Sequence, residues 1–326
     1  MGKIDIITKN YLRRPEIFAD VFNKFLYRGR QVILPGSLAE LDTAELAVPY
    51  SADCAPAPEQ RYRDVVKLWT GMTDGKAAYG ILAVESESKI HYAMPVKNGL
   101  YDFLQFAKQV GEAADLHRKS KKNRIRKPNA GEFLSGFWKT DRLLPVVTVA
   151  VYFGAGEWDA PLSLKEMYAG CDEEILKYAA DYRINLIAPG RMSDDELDEF
   201  QTNMREIMKY IKYSTDGRLL EDAVSADARF KSVEREAVEV MNVVTGSKVK
   251  CPEGKEVVDV CLAIQEIREE GRLEGRLEGR LEGQLEGEIR AYKKLGILPE
   301  DARRYLIEER HKSEDEAELL IRRYWN

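Results

Sequence analysis

Three carboxylates stand at spacings that suit oxygen ligation of a hard cation: Asp64 in RYRDVVKLWT, and Glu85 and Glu87 in YGILAVESESK. If both segments are strands, side chains alternate between faces with period two, so Glu85, Glu87 and Lys89 share one face. The intervening TDGK is rich in turn residues and makes the pair a hairpin, which brings Asp64 beside the glutamates. Hard divalent cations such as Mg²⁺ take one or two carboxylates, keep several waters and leave room for a phosphate oxygen. A cation held in that way stabilises charge developing at phosphorus and activates water. A merely solvated strand end is the competing reading for any single acid here, and three converging acids weigh against it.

A second signal is RKSKKNRIRKP at 118–128, where Arg118, Lys119, Lys121, Lys122, Arg124, Arg126 and Lys127 occur without one acid. Such a run neutralises phosphates in a sequence-independent, salt-sensitive way, and a solvated loop is the alternative. With a formal net charge of −6 and 33% charged residues, the chain as a whole repels polyanions, so nucleic acid has to be met by a local patch of this kind. Tyr101, Gln105 and Gln109 fall near one face of the preceding helical segment and are candidates to line a cleft, with core packing as the rival explanation.

Other chemistries are poorly served. The three histidines, His91, His117 and His311, lie far apart with no serine or cysteine nucleophile motif around them. The four cysteines at 54, 171, 251 and 261 show no CxxC spacing, which speaks against a zinc site or a disulfide framework and for a reducing cytoplasm. The longest apolar stretch, LLPVVTVAVYF at 143–153, is too short to cross a bilayer, so no membrane partner is expected.

The elements that must position these groups follow from periodicity. RPEIFADVFNKFLYRG puts Ile17, Val21, Phe22, Phe25 and Leu26 on one helical stripe, with Pro15 near its start and Gly29 past its end. After the hairpin, residues 97–118 have mostly helical spacing and lead to a buried strand at 143–153 and a last strand in YRINLIAP at 182–189. Strand, helix, strand implies a crossover and a mixed sheet. Residues 194–214 and 227–244 carry helical periodicity, the first opened by the capping-box pair Ser193 and Glu196.

From 270 to 287 the chain reads EGRLEGRLEGRLEGQLEG, stacking Gly271, Gly275, Gly279, Gly283 and Gly287 on one stripe and Leu273, Leu277, Leu281 and Leu285 on another. Each glycine costs a helix interior about 1 kcal/mol against alanine. Either a self-associating helix compensates for this, or the segment is a flexible tether. The domain plan expected is a main domain over 1–250, the repeat region over 251–290 and a small helical region over 291–326.

Taken together, FADVFNKFLYRGRQVILP, RYRDVVKLW, YGILAVESESKIHYAMPVKNGLYDFLQFAKQV, LLPVVTVAVYFGAGEWDAPLSLKEM and YRINLIAP resemble the Rpn family of recombination-promoting nucleases, also labelled transposases. The resemblance covers most of the chain and extends to a glycine-and-charge repeat before a short helical end. It implies the α/β fold of PD-(D/E)XK enzymes, a restriction-endonuclease-like mixed sheet flanked by helices, here with a helical C-terminal extension. It further implies a Mg²⁺- or Mn²⁺-dependent endonuclease acting on DNA in recombination or mobile-element processing. Asp64 then matches the motif aspartate, Glu85 the second acid and Asp20 the acid of the first helix, which would orient the attacking water. Arg63 stands where the motif has proline. Glu87 stands where a lysine or glutamine steadies developing charge, which a carboxylate cannot do, and Lys89, one pleat further on, is the candidate to reach back. The alternative expectation is a catalytically weak nuclease-fold protein that binds DNA or acts as an assembly module, with homo-oligomers formed through the repeat.

Overall fold

A computed structural model describes residues 2–42, 44–47, 59–73, 76–120, 127–170 and 172–325 of the chain. It divides into two compact units, Met1–Cys261 and Leu262–Asn326. The strands in chain order are β1 (Leu38–Glu40), β2 (Ala44–Ala47), β3 (Glu59–Tyr62), β4 (Val65–Thr73), β5 (Lys76–Glu87), β6 (Val146–Tyr152), β7 (Asn185–Ile187), β8 (Val233–Glu234) and β9 (Val257–Val258). Helices of the first unit are α1 (Lys3–Arg13), α2 (Pro15–Tyr27), α3 (Met94–Lys119), α4 (Ala130–Ser135), α5 (Glu173–Leu176), α6 (Asp194–Asp198), α7 (Met204–Tyr213), α8 (Gly217–Ala226) and α9 (Arg235–Thr245).

Five strands form one mixed sheet in the order β1-β4-β5-β6-β7. The hairpin read from the sequence is β4 and β5, antiparallel from Thr73↔Lys76 to Val65↔Val84. β6 runs parallel to β5, and β7 parallel to β6, because α3 carries the chain back across the sheet between β5 and β6, as a parallel pair requires. Alternation along the strands then gives the sheet two buried faces. On one face Val66, Ile81 and Ala83 cluster, while Met94 of α3 packs with Ala150 and Tyr152 of β6. On the other, Ser86 Oγ donates to Thr8 Oγ1 of α1 at 2.8 Å, and the Lys67 ammonium lies over the Phe18 ring of α2, 5.4 Å from its centroid.

The periodic segment 194–214 is two helices, not one. Between α6 and α7 the amides of Gln201 and Thr202 donate to the Asp20 carboxylate of α2 instead of continuing a helical ladder. The segment 227–244 becomes an α-helix only at Arg235, and α8, capped by the Asp216 side chain, was not anticipated.

Under α3 lies a buried polar network. Arg63, 0% exposed, donates to Asp102 Oδ1 at 2.6 Å and to Thr148 Oγ1 of β6 at 3.1 Å. Thr148 Oγ1 donates to Asp102 Oδ1 at 2.5 Å, and the Tyr182 hydroxyl donates to Asp102 Oδ2 at 2.6 Å. A single carboxylate therefore fixes the strand approach to β4, the crossover helix, β6 and the segment before β7.

In the second unit α10 (Val260–Lys294), which begins at the end of the first, contains the whole glycine repeat as continuous helix. It is followed by α11 (Pro299–Glu308) and α12 (Glu314–Tyr324), whose Leu306 and Ala317 bury with Ile289 of α10. No helix among the described residues is long and apolar enough to cross a membrane.

Removing one member of a buried ion pair strands the other, a loss of about 3–5 kcal/mol in comparable cases. Asp102→Leu is therefore expected to lower stability to urea by about that amount, and Arg63→Met added to it to recover part of the loss. A single variant as stable as the parent would show that Asp102 does not hold Arg63.

Candidate functional site

The proposed acids gather at the end of β5 where strand pairing stops. β3 ends at Tyr62 and β4 begins at Val65, so Asp64 lies in the bend between them and not inside a strand as the sequence suggested. Continuing the β4–β5 register by one residue sets it across from Glu85. Asp64 Oδ2 accepts the Ser86 amide of β5 at 2.8 Å, and Oδ1 lies 3.3 Å from Lys9 Nζ of α1.

Glu85 is 1% exposed. Its Oε2 is 3.3 Å from Lys97 Nζ in the first turn of α3, and its Oε1 has no hydrogen-bond partner among the described residues. Burial pushes the Glu85 carboxyl up to about 7; Lys97 pulls it back, and the nearby Asp64 charge pushes it further up. Glu87, two residues on and on the same face, places Oε1 2.6 Å from Lys97 Nζ. Burial acts to lower the Lys97 pKa, but Glu85 and Glu87 outweigh it and hold the ammonium protonated. Glu85 and Glu87 thus converge through one cation from α3, while Asp64 is approached by another from α1.

Two expected participants stand elsewhere. β5 ends at Glu87, and Lys89 lies beyond it in a bend, exposed, so the strand geometry that was to bring it back onto the acids is missing. Asp20 is buried, and its carboxylate is filled by the amides of Gln201 and Thr202 at 2.8–3.0 Å and the Thr202 hydroxyl at 2.7 Å. That is a clasp between α2 and the chain before α7, which gives Asp20 a structural part.

The cleft candidates on α3 serve packing: Tyr101 lies against the Arg63 guanidinium at 5.3 Å, Gln105 is buried, and Gln109 clamps both backbone groups of Leu144 at 2.7 and 3.2 Å. Of the basic run, Arg118, Lys119 and Lys127 are exposed, with Arg118 paired to Asp115, and Lys121, Lys122, Arg124 and Arg126 lie outside the described residues. Beside this run a hollow of about 390 Å³ is walled by Phe133, Leu134, His117 and Trp138, the last two stacked at 4.0 Å. Asp141 lies 2.8 Å from His117 Nε2 and accepts the Trp138 amide at 2.7 Å.

Two residues at or near the acids, Lys97 and Asn98, were missed in the sequence, and Arg63 was noted only as the replacement of a proline. Lys97 is the most telling, because a cation in a first helical turn opposes the helix dipole and so needs local acids to justify it. Arg63 follows Tyr62 with no hint of burial. Asn98, beside Lys97 and 0% exposed, has neither its amide nitrogen nor its oxygen hydrogen-bonded among the described residues. A buried polar atom without a partner is rare enough in a folded protein to mark a place where water, an ion or a ligand belongs.

The donor set accords with a hard cation. Asp64 and Glu85 offer two carboxylates, the number Mg²⁺ commonly takes from protein, and Glu85 Oε1 is buried without a hydrogen-bond partner among the described residues. Among the described residues no group of three or more His, Cys, Asp or Glu side chains is placed to hold a metal. No family model, no curated protein and no solved structure matches the chain.

The Glu85 shift has a signed consequence. The folded protein keeps this proton up to about pH 7, whereas an unfolded chain releases it near the ordinary 4.5. Between those values the native state binds more protons, so stability falls as pH rises and levels off above about 7. Glu85→Gln, neutral throughout, is expected to abolish that slope and to be more stable at pH 8 by on the order of 3 kcal/mol. Urea unfolding at pH 5 and pH 8 checks this, and equal slopes in parent and variant would count against a buried, proton-holding Glu85.

Proposed function

We propose that the protein is a metal-dependent DNA endonuclease with a restriction-endonuclease-like core of the PD-(D/E)XK type, akin to the Rpn recombination-promoting nucleases. The observation that carries this reading is Glu85: a carboxylate buried at a strand end, one oxygen unpartnered, its pKa near neutrality, with Asp64 across from it and Lys97 overhead. Asp64 and Glu85 would hold Mg²⁺ or Mn²⁺. Such an ion, when bound, supplies concentrated positive charge to a phosphate and acidifies water.

The chain's own groups supply the rest. Lys97, kept protonated by Glu85 and Glu87, takes the electrostatic part that Glu87 cannot play, steadying negative charge that grows on the phosphate in the transition state. Glu87 holds the Lys97 ammonium in place from its other side. The Ser86 amide fixes the Asp64 carboxylate, so its orientation does not depend on solvent. Arg63 and Asp102 lock α3 to β6 and thereby set the height of Lys97 over the acids. DNA is the partner this reading requires; the basic run 118–127 would grip its backbone, and self-association through the C-terminal repeat is a second, separable element. The setting would be recombination or mobile-element DNA processing in the cytoplasm.

One observation favours a second reading, a weak or inactive nuclease scaffold that binds DNA. Lys97 lies closer to Glu87, 2.6 Å, than to Glu85, 3.3 Å, so its charge is largely committed inside the protein.

Cleavage of plasmid DNA with Mg²⁺ or Mn²⁺ separates them. Asp64→Ala is expected to reduce cutting to background, and Lys97→Met to slow it by roughly 10²–10³ in kcat, the scale of losing one charge-stabilising donor. Lys89→Ala is expected to leave the rate unchanged. DNA binding without cutting under either metal, insensitive to Asp64→Ala, would establish the scaffold reading instead. Asp20→Ala is expected to lower stability by about 2–4 kcal/mol through several lost buried hydrogen bonds, with any surviving folded fraction as active per molecule as the parent.

A further inference from the structure

Inside the C-terminal repeat three of the four leucines are more than half exposed. Leu273, Leu277 and Leu281 of α10 are 54, 60 and 52% exposed, whereas Leu285 packs with the cluster of Ile289, Leu306 and Ala317. A four-residue step overshoots the helical turn, so each leucine lies about 40° further round the axis than the last. Only after about 120° of drift does the stripe reach the cap formed by α11 and α12.

The charges of the repeat have the same character. At i,i+4 every residue meets its own kind, Glu274 with Glu278 and Arg276 with Arg280, and at i,i+3 glutamate meets leucine while arginine meets glycine. No opposite charges can pair along the helix within the strict repeat. The one such pair at its start, Glu269 with Arg272, exists because an extra glutamate precedes the pattern. The fold therefore leaves Glu274, Arg276, Glu278 and Arg280 exposed on a helix whose like charges repel and whose glycines weaken it.

Viewed down the axis, each leucine has an arginine about 100° to one side and a glutamate about 100° to the other. The glycines occupy the far side, with nothing within 4 Å of an added Cβ at Gly271, Gly275 or Gly279. We propose that the occupant of this leucine face is the same repeat of a second copy of the chain, parallel and in register. A two-fold axis along the helices carries the arginine edge of one copy onto the glutamate edge of the other. An antiparallel pair would set arginine against arginine and glutamate against glutamate. The stripes that repel along one helix thus become complementary edges across two, and the bare leucines become a seam. Because the repeat exceeds 3.6 residues, the seam winds right-handed. The assignment rests on the repeat alone and holds or fails independently of nuclease activity.

Sedimentation equilibrium of the full chain is expected to show a dimer at micromolar concentration. Arg276→Glu/Arg280→Glu and Glu274→Arg/Glu278→Arg should each weaken self-association roughly tenfold or more, while an equimolar mixture of the two restores it through matched edges. Circular dichroism of each variant verifies that the helix persists. Leu273→Cys and Leu281→Cys, oxidised separately and mapped by mass spectrometry, should each cross-link to themselves. A monomeric parent at 100 µM or so, a dimer indifferent to both charge variants, or cross-links that form only when the two cysteine variants are mixed would overturn the parallel pairing.

Discussion

A carboxylate taken out of water must be neutralised or paired, and at Glu85 that requirement joins the hairpin to the crossover helix. The side chain is placed at the end of β5 by an alternation that buries Ile81 and Ala83 on the same face, so it cannot turn to solvent without breaking register. Its neutralising cation has to come from above, and the first turn of α3 is the element that arrives there. Five residues further along α3, the same problem recurs with opposite sign, where the buried Arg63 guanidinium meets Asp102. The sheet and its crossover helix are thus tied by two charge pairs of reversed polarity, in which both oxygens of the Asp102 carboxylate accept hydrogen bonds and one of the Glu85 carboxylate does not among the described residues.

That difference separates structure from chemistry at this end of the sheet. Asp102 engages Arg63, Thr148 and Tyr182, and Asp20 engages two amides and a hydroxyl, so both oxygens of each acid accept hydrogen bonds from the fold. Among the described residues Glu85 keeps one oxygen without a hydrogen-bond partner, and Asn98 keeps its whole amide so. Leaving such groups buried costs stability that an apolar residue of similar shape would not, and proteins retain costs of this kind at sites that do something. The proposal of a metal-assisted reaction rests on this asymmetry, since residue type alone would have ranked Asp20, Asp102 and Glu85 equally.

The sequence made the hairpin, the crossover helix and the parallel strand at 146–152 legible because each rests on local periodicity. It made Asp64 and Glu85 legible because register follows from hairpin pairing. Lys89 was misplaced for a reason of the same kind: period two was extended beyond Glu87, where the strand gives way to the turn that launches α3. Lys97, which does meet the glutamates, is eight residues further on and becomes a neighbour only when the helix folds back. Arg63 and Asp102 are 39 residues apart, and nothing local signals that they meet. The single helix expected over 194–214 failed similarly, since its interruption depends on Asp20, some 180 residues earlier.

The repeat inverts this relation between local pattern and structure. There the local pattern is explicit, yet it argues against what is observed, because glycine and like-charge spacing both disfavour a lone helix while the chain is helical from Val260 to Lys294. Packing against α11 and α12 accounts for the end that contains Leu285 and Ile289. It does not extend to Leu273, Leu277 and Leu281, which stay more than half exposed. In the self-pairing proposed, the four-residue period would supply apolar contact and opposite charge at every step.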